Sequence, residues 1–94
     1  MYEVRFTKRF EKQFRKLDRQ IQKKIIEETE ILKTKPEVGE PLHGALSDFR
    51  KLRVHDYRVI YRLHNSNTMV EVCFVDHRKR VYEELDRLRR EEAI

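Results

Sequence analysis

Cysteine is almost missing from this chain. The single Cys73 among 94 residues excludes an internal disulfide and any metal site built on several thiolates. Tryptophan is absent, and glycine and proline number two each, which leaves no Gly-rich phosphate loop and no flexible low-complexity segment. Long apolar runs are missing too. No window approaches the roughly 20 apolar residues of a membrane span, and the opening MYEVRFTKRF has no signal-peptide core, so a cytoplasmic protein is expected. Paired carboxylates and metal-ligand spacings are also lacking, and neither a metal nor a cofactor is expected.

What the sequence holds is charge. Lys and Arg number 22 against 17 Asp and Glu, a formal net charge of +5. Charged residues make up 41% of the chain, well above the roughly 25% of an average domain. A chain this short builds one hydrophobic core, so residues 1–94 are expected to form a single domain with a heavily ionised surface. The total charge permits an anionic partner without locating it. Position has to do that.

Tyr2, Val4 and Phe6 alternate with Glu3 and Arg5, the period-2 pattern of a half-buried strand. From Thr7, a suitable N-cap, Phe10, Phe14 and Leu17 recur at helical spacing. Asp18 caps a second helix with Ile21, Ile25, Thr29 and Leu32 on one face, and Pro36 ends it. Residues 36–47 hold every glycine and proline and read as the main loop. Phe49–Val54, Tyr57–Leu63 and Met69–Val75 are three short β-branched and aromatic runs separated by turn residues, a meander of hairpins. Helical spacing returns from Lys79 onward. The order β-α-α-β-β-β-α predicts an α+β fold. Its mostly antiparallel four-stranded sheet packs on an N-terminal helical hairpin, with a C-terminal helix following and the other sheet face free.

A two-residue turn at His55-Asp56 pairs Val54 with Tyr57, Arg53 with Arg58 and Lys51 with Ile60. Leu52, Val54, Tyr57 and Val59 then share the apolar side, while Lys51, Arg53, Arg58 and Ile60 share the other. A second turn at Ser66-Asn67 sets Leu63 opposite Val70, Tyr61 opposite Val72, Val59 opposite Phe74, Arg62 opposite Glu71, Ile60 opposite Cys73 and Arg58 opposite Val75. Directly opposed like charges cost up to about 1 kcal/mol, so Arg53 against Arg58 makes sense beneath a bound anion. Arg62 is neutralised by Glu71 and reads as structural. The run Asp76-His77-Arg78-Lys79-Arg80 emerges beside Arg58, with Tyr82 one helical turn beyond Arg78. Arginines with a tyrosine and a histidine, and no metal ligands, suggest metal-free phosphate chemistry.

The stretches Arg50-Lys51-Leu52-Arg53-Val54-His55-Asp56-Tyr57-Arg58-Val59-Ile60-Tyr61 and Val75-Asp76-His77-Arg78-Lys79-Arg80-Val81-Tyr82 resemble the signature of the RelE/ParE superfamily of toxins, and YEVRFTKRFEKQFRKLD resembles its opening strand and helix. The RelE resemblance implies a ribosome-dependent endoribonuclease, an mRNA interferase that cleaves the A-site codon as the RNA's own 2′-hydroxyl attacks the adjacent phosphate. It implies a RelB-like antitoxin, the ribosome and mRNA as partners. Lys51 and Arg53 match the family's basic pair, Arg58 its strand arginine, and Arg78 and Tyr82 its C-terminal arginine and tyrosine. The second hairpin turn and the interval from Arg78 to Tyr82 are shorter than in the founding pattern, which adds weight to His77 as a proton carrier with a near-neutral reference pKa. Arginine forks suit phosphate and do not deprotonate, leaving Lys51, Tyr82 and His77 as the candidates for proton exchange. Crowding by Arg53 and Arg58 would lower the pKa of Lys51. Arg50, Lys79, Arg80 and Phe49 are the candidate RNA contacts, Phe49 by base stacking, although packing in the core is the more common use of such a ring. Two other readings stay open: a ParE-like poison of DNA gyrase, and a non-catalytic basic module that binds RNA or the ribosome.

Overall fold

The computed structural model describes residues 1–92. Strand β1 (Glu3–Phe6) leads into α1 (Lys8–Arg15) and α2 (Arg19–Glu30), followed by a 3-10 turn at Ile31–Lys33. Next come β2 (Glu40–Pro41), β3 (Phe49–Val54), β4 (Tyr57–His64), β5 (Met69–His77) and α3 (Val81–Glu92). The helix starts lie where the caps predict. The Thr7 side chain accepts from the Phe10 amide and the Asp18 carboxylate from the Ile21 amide. The Thr7 hydroxyl also donates to the Cys73 carbonyl at 2.6 Å, and Gln13 accepts from the Val75 amide at 3.0 Å. In this way α1 satisfies the edge of β5 beyond the end of β1.

The strands form one sheet in the order β1-β5-β4-β3-β2, with β1 parallel to β5 and the other pairings antiparallel. It has five strands where four were expected, because Glu40 and Pro41 in the long loop pair with Lys51 and Arg50. A two-residue rung in a Pro/Gly loop carries no periodicity to read. The β3–β4 register is as predicted, with Arg53 opposite Arg58 and His55 at a φ of 55° in the turn.

Two apolar clusters lie on opposite sides of the sheet. Phe10, Ile25 and Leu32 of the helical hairpin bury against Leu52, Val54, Val59, Tyr61, Val70, Val72 and Val75. On the far side Val81 and Leu85 of α3 join Phe49, Ile60, Cys73, Phe74 and the loop residue Leu42. The far face is therefore partly covered by α3, contrary to the expectation that it is free. Arg9 on α1 anchors α3 through a 2.8 Å ion pair with Glu84.

A bulge makes this second cluster possible. Tyr61 pairs with Val72 and Ile60 with Phe74, so Cys73 is the extra residue and both Cys73 and Phe74 serve the α3 side. The expected pairs Val59–Phe74, Ile60–Cys73 and Arg58–Val75 are replaced by Val59–Val75, Ile60–Phe74 and Arg58–Asp76. Strict alternation cannot reveal an inserted residue, since both neighbours are apolar.

Candidate functional site

The α3 side of β3 and β4 carries Phe49, Lys51 and Arg53 on one strand and Arg58, Ile60 and Arg62 on the other. Ile60 and Phe49 are buried beneath α3, which leaves the polar residues toward the β3–β4 turn. Tyr82, in the first turn of α3, stands at the border of this area and is 52% exposed. Lys51 Nζ donates to the Tyr82 hydroxyl at 2.8 Å and lies 5.5 Å from the centre of its ring. Glu40, the cross-strand partner of Lys51 on β2, places Oε2 3.9 Å from the same ammonium. A carboxylate, an ammonium and a phenol thus form one short row.

Arg53 and Arg58 follow Lys51 toward the turn. One Arg58 nitrogen donates to the carbonyls of His55 and Tyr57 at 3.0 and 2.8 Å, which fixes the guanidinium over its own hairpin and leaves its other donors unclaimed by those bonds. Arg78 meets the same hairpin from the other chain direction. Its amide donates to the Asp56 carbonyl at 2.8 Å, and its Nε lies 3.8 Å from the Asp56 carboxylate. The expected gathering of Arg53, Arg58 and Arg78 at one end of the sheet is present, with Lys51 and Tyr82 beside it. Arg78 and Tyr82 do not share a helix, since residues 78–80 are a turn and α3 begins at Val81.

Other predicted residues are placed differently. His77 pairs with Tyr57 and contacts its ring edge-on at 5.6 Å, on the side of the helical hairpin and away from Lys51. Its Nδ1 accepts from the Lys79 amide at 3.2 Å, an assignment that puts the proton of a neutral ring on Nε2. Phe49 is 2% exposed and lies 5.1 Å below the Arg62 guanidinium, so its ring is core and is closed to a stacking base. Arg50 lies on the other face from Lys51, donating to the Glu37 and Gly39 carbonyls and clamping the long loop. Lys79 and Arg80 are exposed near the site, with Arg80 Nε 3.2 Å from the Asp76 carboxylate.

Arg62 is structural, as the cross-strand reading proposes: its Nε lies 2.9 Å from Glu71, which His64 also approaches at 3.2 Å. Burial pushes the Glu71 carboxyl up, but the hydrogen bonds from Arg62 and His64 outweigh it and hold the group below the usual carboxylate range. Glu40, Asp56 and Asp76 are the residues that sequence reasoning missed. Asp76 becomes the partner of Arg58 only through the bulge, and Glu40 enters only through β2. The β2 pairing had no local signal. Asp56 lies in a two-residue turn, where turn chemistry alone accounts for an aspartate.

No group of three or more His, Cys, Asp or Glu among the described residues has the geometry of a metal site. The area is an open face. An apolar hollow of 190 Å³ between α1 and α2, lined by Phe6, Phe10, Phe14, Ile25 and Ile26, lies on the opposite side of the sheet. Among the described residues no helix is long and apolar enough to cross a membrane.

Known proteins share this fold. Residues 4–82 match the family described as the ParE toxin of the type II toxin-antitoxin system parDE. Toxin RelG of Mycobacterium tuberculosis is 31% identical over 83 residues, covering 86% of this chain and 95% of that one. The fold superposes on a RelBE toxin-antitoxin complex from Mycobacterium tuberculosis with a TM-score of 0.74 and 33% identity, over 81% of this chain and 96% of that one. The isolated Escherichia coli RelE toxin gives the same TM-score of 0.74 over 93% of this chain and 97% of its own, at 24% identity, a likeness of fold. The chain belongs to the RelE/ParE family of toxins of type II toxin-antitoxin systems.

Proposed function

We propose that this toxin is a ribosome-dependent, metal-independent endoribonuclease that cleaves mRNA in the A site. The observation that carries the proposal is the Lys51–Tyr82 hydrogen bond set beside Arg53, Arg58 and Arg78. In the reaction the 2′-oxygen forms a bond to the adjacent phosphorus and the 5′-oxygen leaves, so one proton departs and one arrives. Because Lys51 donates to its oxygen, the Tyr82 phenol is free to aim its own proton outward, and Tyr82 is assigned proton exchange with the RNA. Lys51 holds the phenol. Arg53, Arg58 and Arg78 support the negative charge that accumulates on phosphorus, a task for fixed cations that do not deprotonate. His77 lies too far around the sheet end to share the Lys51–Tyr82 row, and its role is to shape the Tyr57–Lys79 corner.

A small open site suffices when the RNA supplies its own nucleophile and the ribosome presents the strand. Within that reading residues 1–94 act as one domain in the cytoplasm. The partner is a RelB-like antitoxin whose acidic, partly disordered segment neutralises the basic face, as toxins of this fold are seen in complex with RelB-type antitoxins. Arg78→Ala should reduce ribosome-dependent cleavage about 10²-fold or more and abolish growth inhibition while the thermal unfolding profile stays intact; full toxicity in that variant would sink the proposal.

The second reading is a ParE-like gyrase poison, favoured by the family model that matches residues 4–82. It predicts inhibition of purified gyrase in a supercoiling assay, and retention of that inhibition by Tyr82→Phe. A non-catalytic basic module would bind ribosomes and leave messages whole.

A further inference from the structure

Glu40 stands out as a charged group that the reaction above does not use. It is 61% exposed, and an exposed ion pair alone fixes little. The surroundings of this pair differ from that case. Lys51, its partner, has only 15% of its side chain exposed and already donates to Tyr82 at 2.8 Å. The strand that carries Glu40 is also tied down at several points. Tyr61, fully buried, donates from its hydroxyl to the Pro36 carbonyl at 2.8 Å and accepts from the Gly39 amide at 2.8 Å. Arg50 grips the Glu37 and Gly39 carbonyls at 3.0 and 2.8 Å. The backbone at Gly39 runs so near the Tyr61 ring that a Cβ there would lie 2.5 Å from the hydroxyl oxygen. Glu40 then pairs with Lys51 and Pro41 with Arg50. The four hydrogen bonds to the backbone of Pro36, Glu37 and Gly39 fix the strap, and the strap brings the Glu40 carboxylate to within 3.9 Å of the Lys51 ammonium.

We propose that Glu40 is a positioning residue of this site: its carboxylate, delivered by the clamped 36–41 strap, holds the Lys51 ammonium against the Tyr82 hydroxyl. A lysine carries four rotatable bonds and a point charge that any acceptor satisfies. With the phenol oxygen accepting at 2.8 Å and a carboxylate 3.9 Å away drawing the charge from the other side, the ammonium is biased toward one geometry. Tyr82, on the first turn of α3 beside the buried Val81, gains a fixed phenol direction from it. The claim rests on the ribonuclease reading for its catalytic consequence, but the positioning itself is observable without RNA.

The test therefore has two arms. In protein labelled with 15N-lysine, the Lys51 ammonium signal, identified by its loss in Lys51→Met, is expected to be resolved in the parent. In Glu40→Gln its protons should exchange at least about threefold faster, since the negative charge that holds the ammonium in place is gone, whereas Glu40→Asp should restore part of the protection. Unchanged exchange in Glu40→Gln overturns the proposal whatever the RNA assay gives. In ribosome-dependent cleavage, Glu40→Gln should lower kcat about 3–10-fold through misplaced groups without raising KM, because removing a carboxylate from a cationic face does not weaken phosphate binding. In a Lys51→Met background the same substitution should have no further effect. A kcat equal to the parent's, a raised KM, or a loss that persists without Lys51 also overturns it. If the parent cleaves no message, the ribonuclease reading fails and the exchange arm alone decides the role of Glu40.

Discussion

Tyr61 shows how much of this site depends on one buried hydroxyl. It is a core residue facing the helical hairpin, and its oxygen reaches the long loop to hold Pro36 and Gly39. Tyr61→Phe keeps the ring and strands the Gly39 amide, which should cost about 1–3 kcal/mol in chemical denaturation. Burial pushes the Tyr61 phenol above its ordinary value, against smaller opposing contributions from the Gly39 amide and Arg50. The folded chain keeps this proton longer than the unfolded one. The contribution to stability is therefore complete below the reference value of about 10 and is lost as pH rises through and beyond it. Parent protein should lose stability more steeply than Tyr61→Phe above that pH; parallel curves would contradict the assignment. At this scale, Arg53 opposite Arg58 was legible because a two-residue turn sets the register. The core packing of Phe49 was the favoured reading of its ring, while the fate of Arg50 was not legible. A basic residue in a strand does not announce whether it meets a loop carbonyl or solvent.

Among the elements, α3 is the one that joins fold and chemistry. It buries Val81 and Leu85 and leaves Tyr82 outward beside Lys51. Leu85→Ala should destabilise by about 2–5 kcal/mol, and amide exchange should rise first in α3, because the cluster under α3 is separated by the sheet from the one under α1 and α2. Uniform acceleration across α1 and α2 would show that the two clusters are not separable. The β4–β5 hairpin has its own signature in Glu71. The Glu71 carboxyl is held low when folded, so its contribution is present above the ordinary carboxylate range and fades as pH falls through the lowered value. Melting curves between roughly pH 3 and 6 should drop more steeply for the parent than for Glu71→Gln. The helices, their caps and the first hairpin were legible from apolar spacing and turn residues. The bulge at Cys73 and the short β2 were hidden because neither changes the apolar pattern, and together they bring Asp76 and Glu40 to the site.

For the molecule as a whole, the net charge of +5 has become an arrangement. Arg53, Arg58 and Arg78 surround the β3–β4 turn, Lys51 and Tyr82 stand next to them, and Arg62 is absorbed by Glu71. Such an open cationic face, interleaved with Glu40 and Asp56, suits a strand of RNA presented in a fixed path better than a small ligand enclosed in a cavity. The two proposed readings have different targets, gyrase and the message on the ribosome, and a lysine-held phenol beside three arginines is the reason the second is preferred. Primer-extension mapping of messages after brief expression, with Tyr82→Phe alongside the parent, tests this most directly. The account predicts sharp ends at A-site codons for the parent and loss of those ends by about 10²-fold in the variant. Intact messages together with arrested supercoiling by purified gyrase would contradict it.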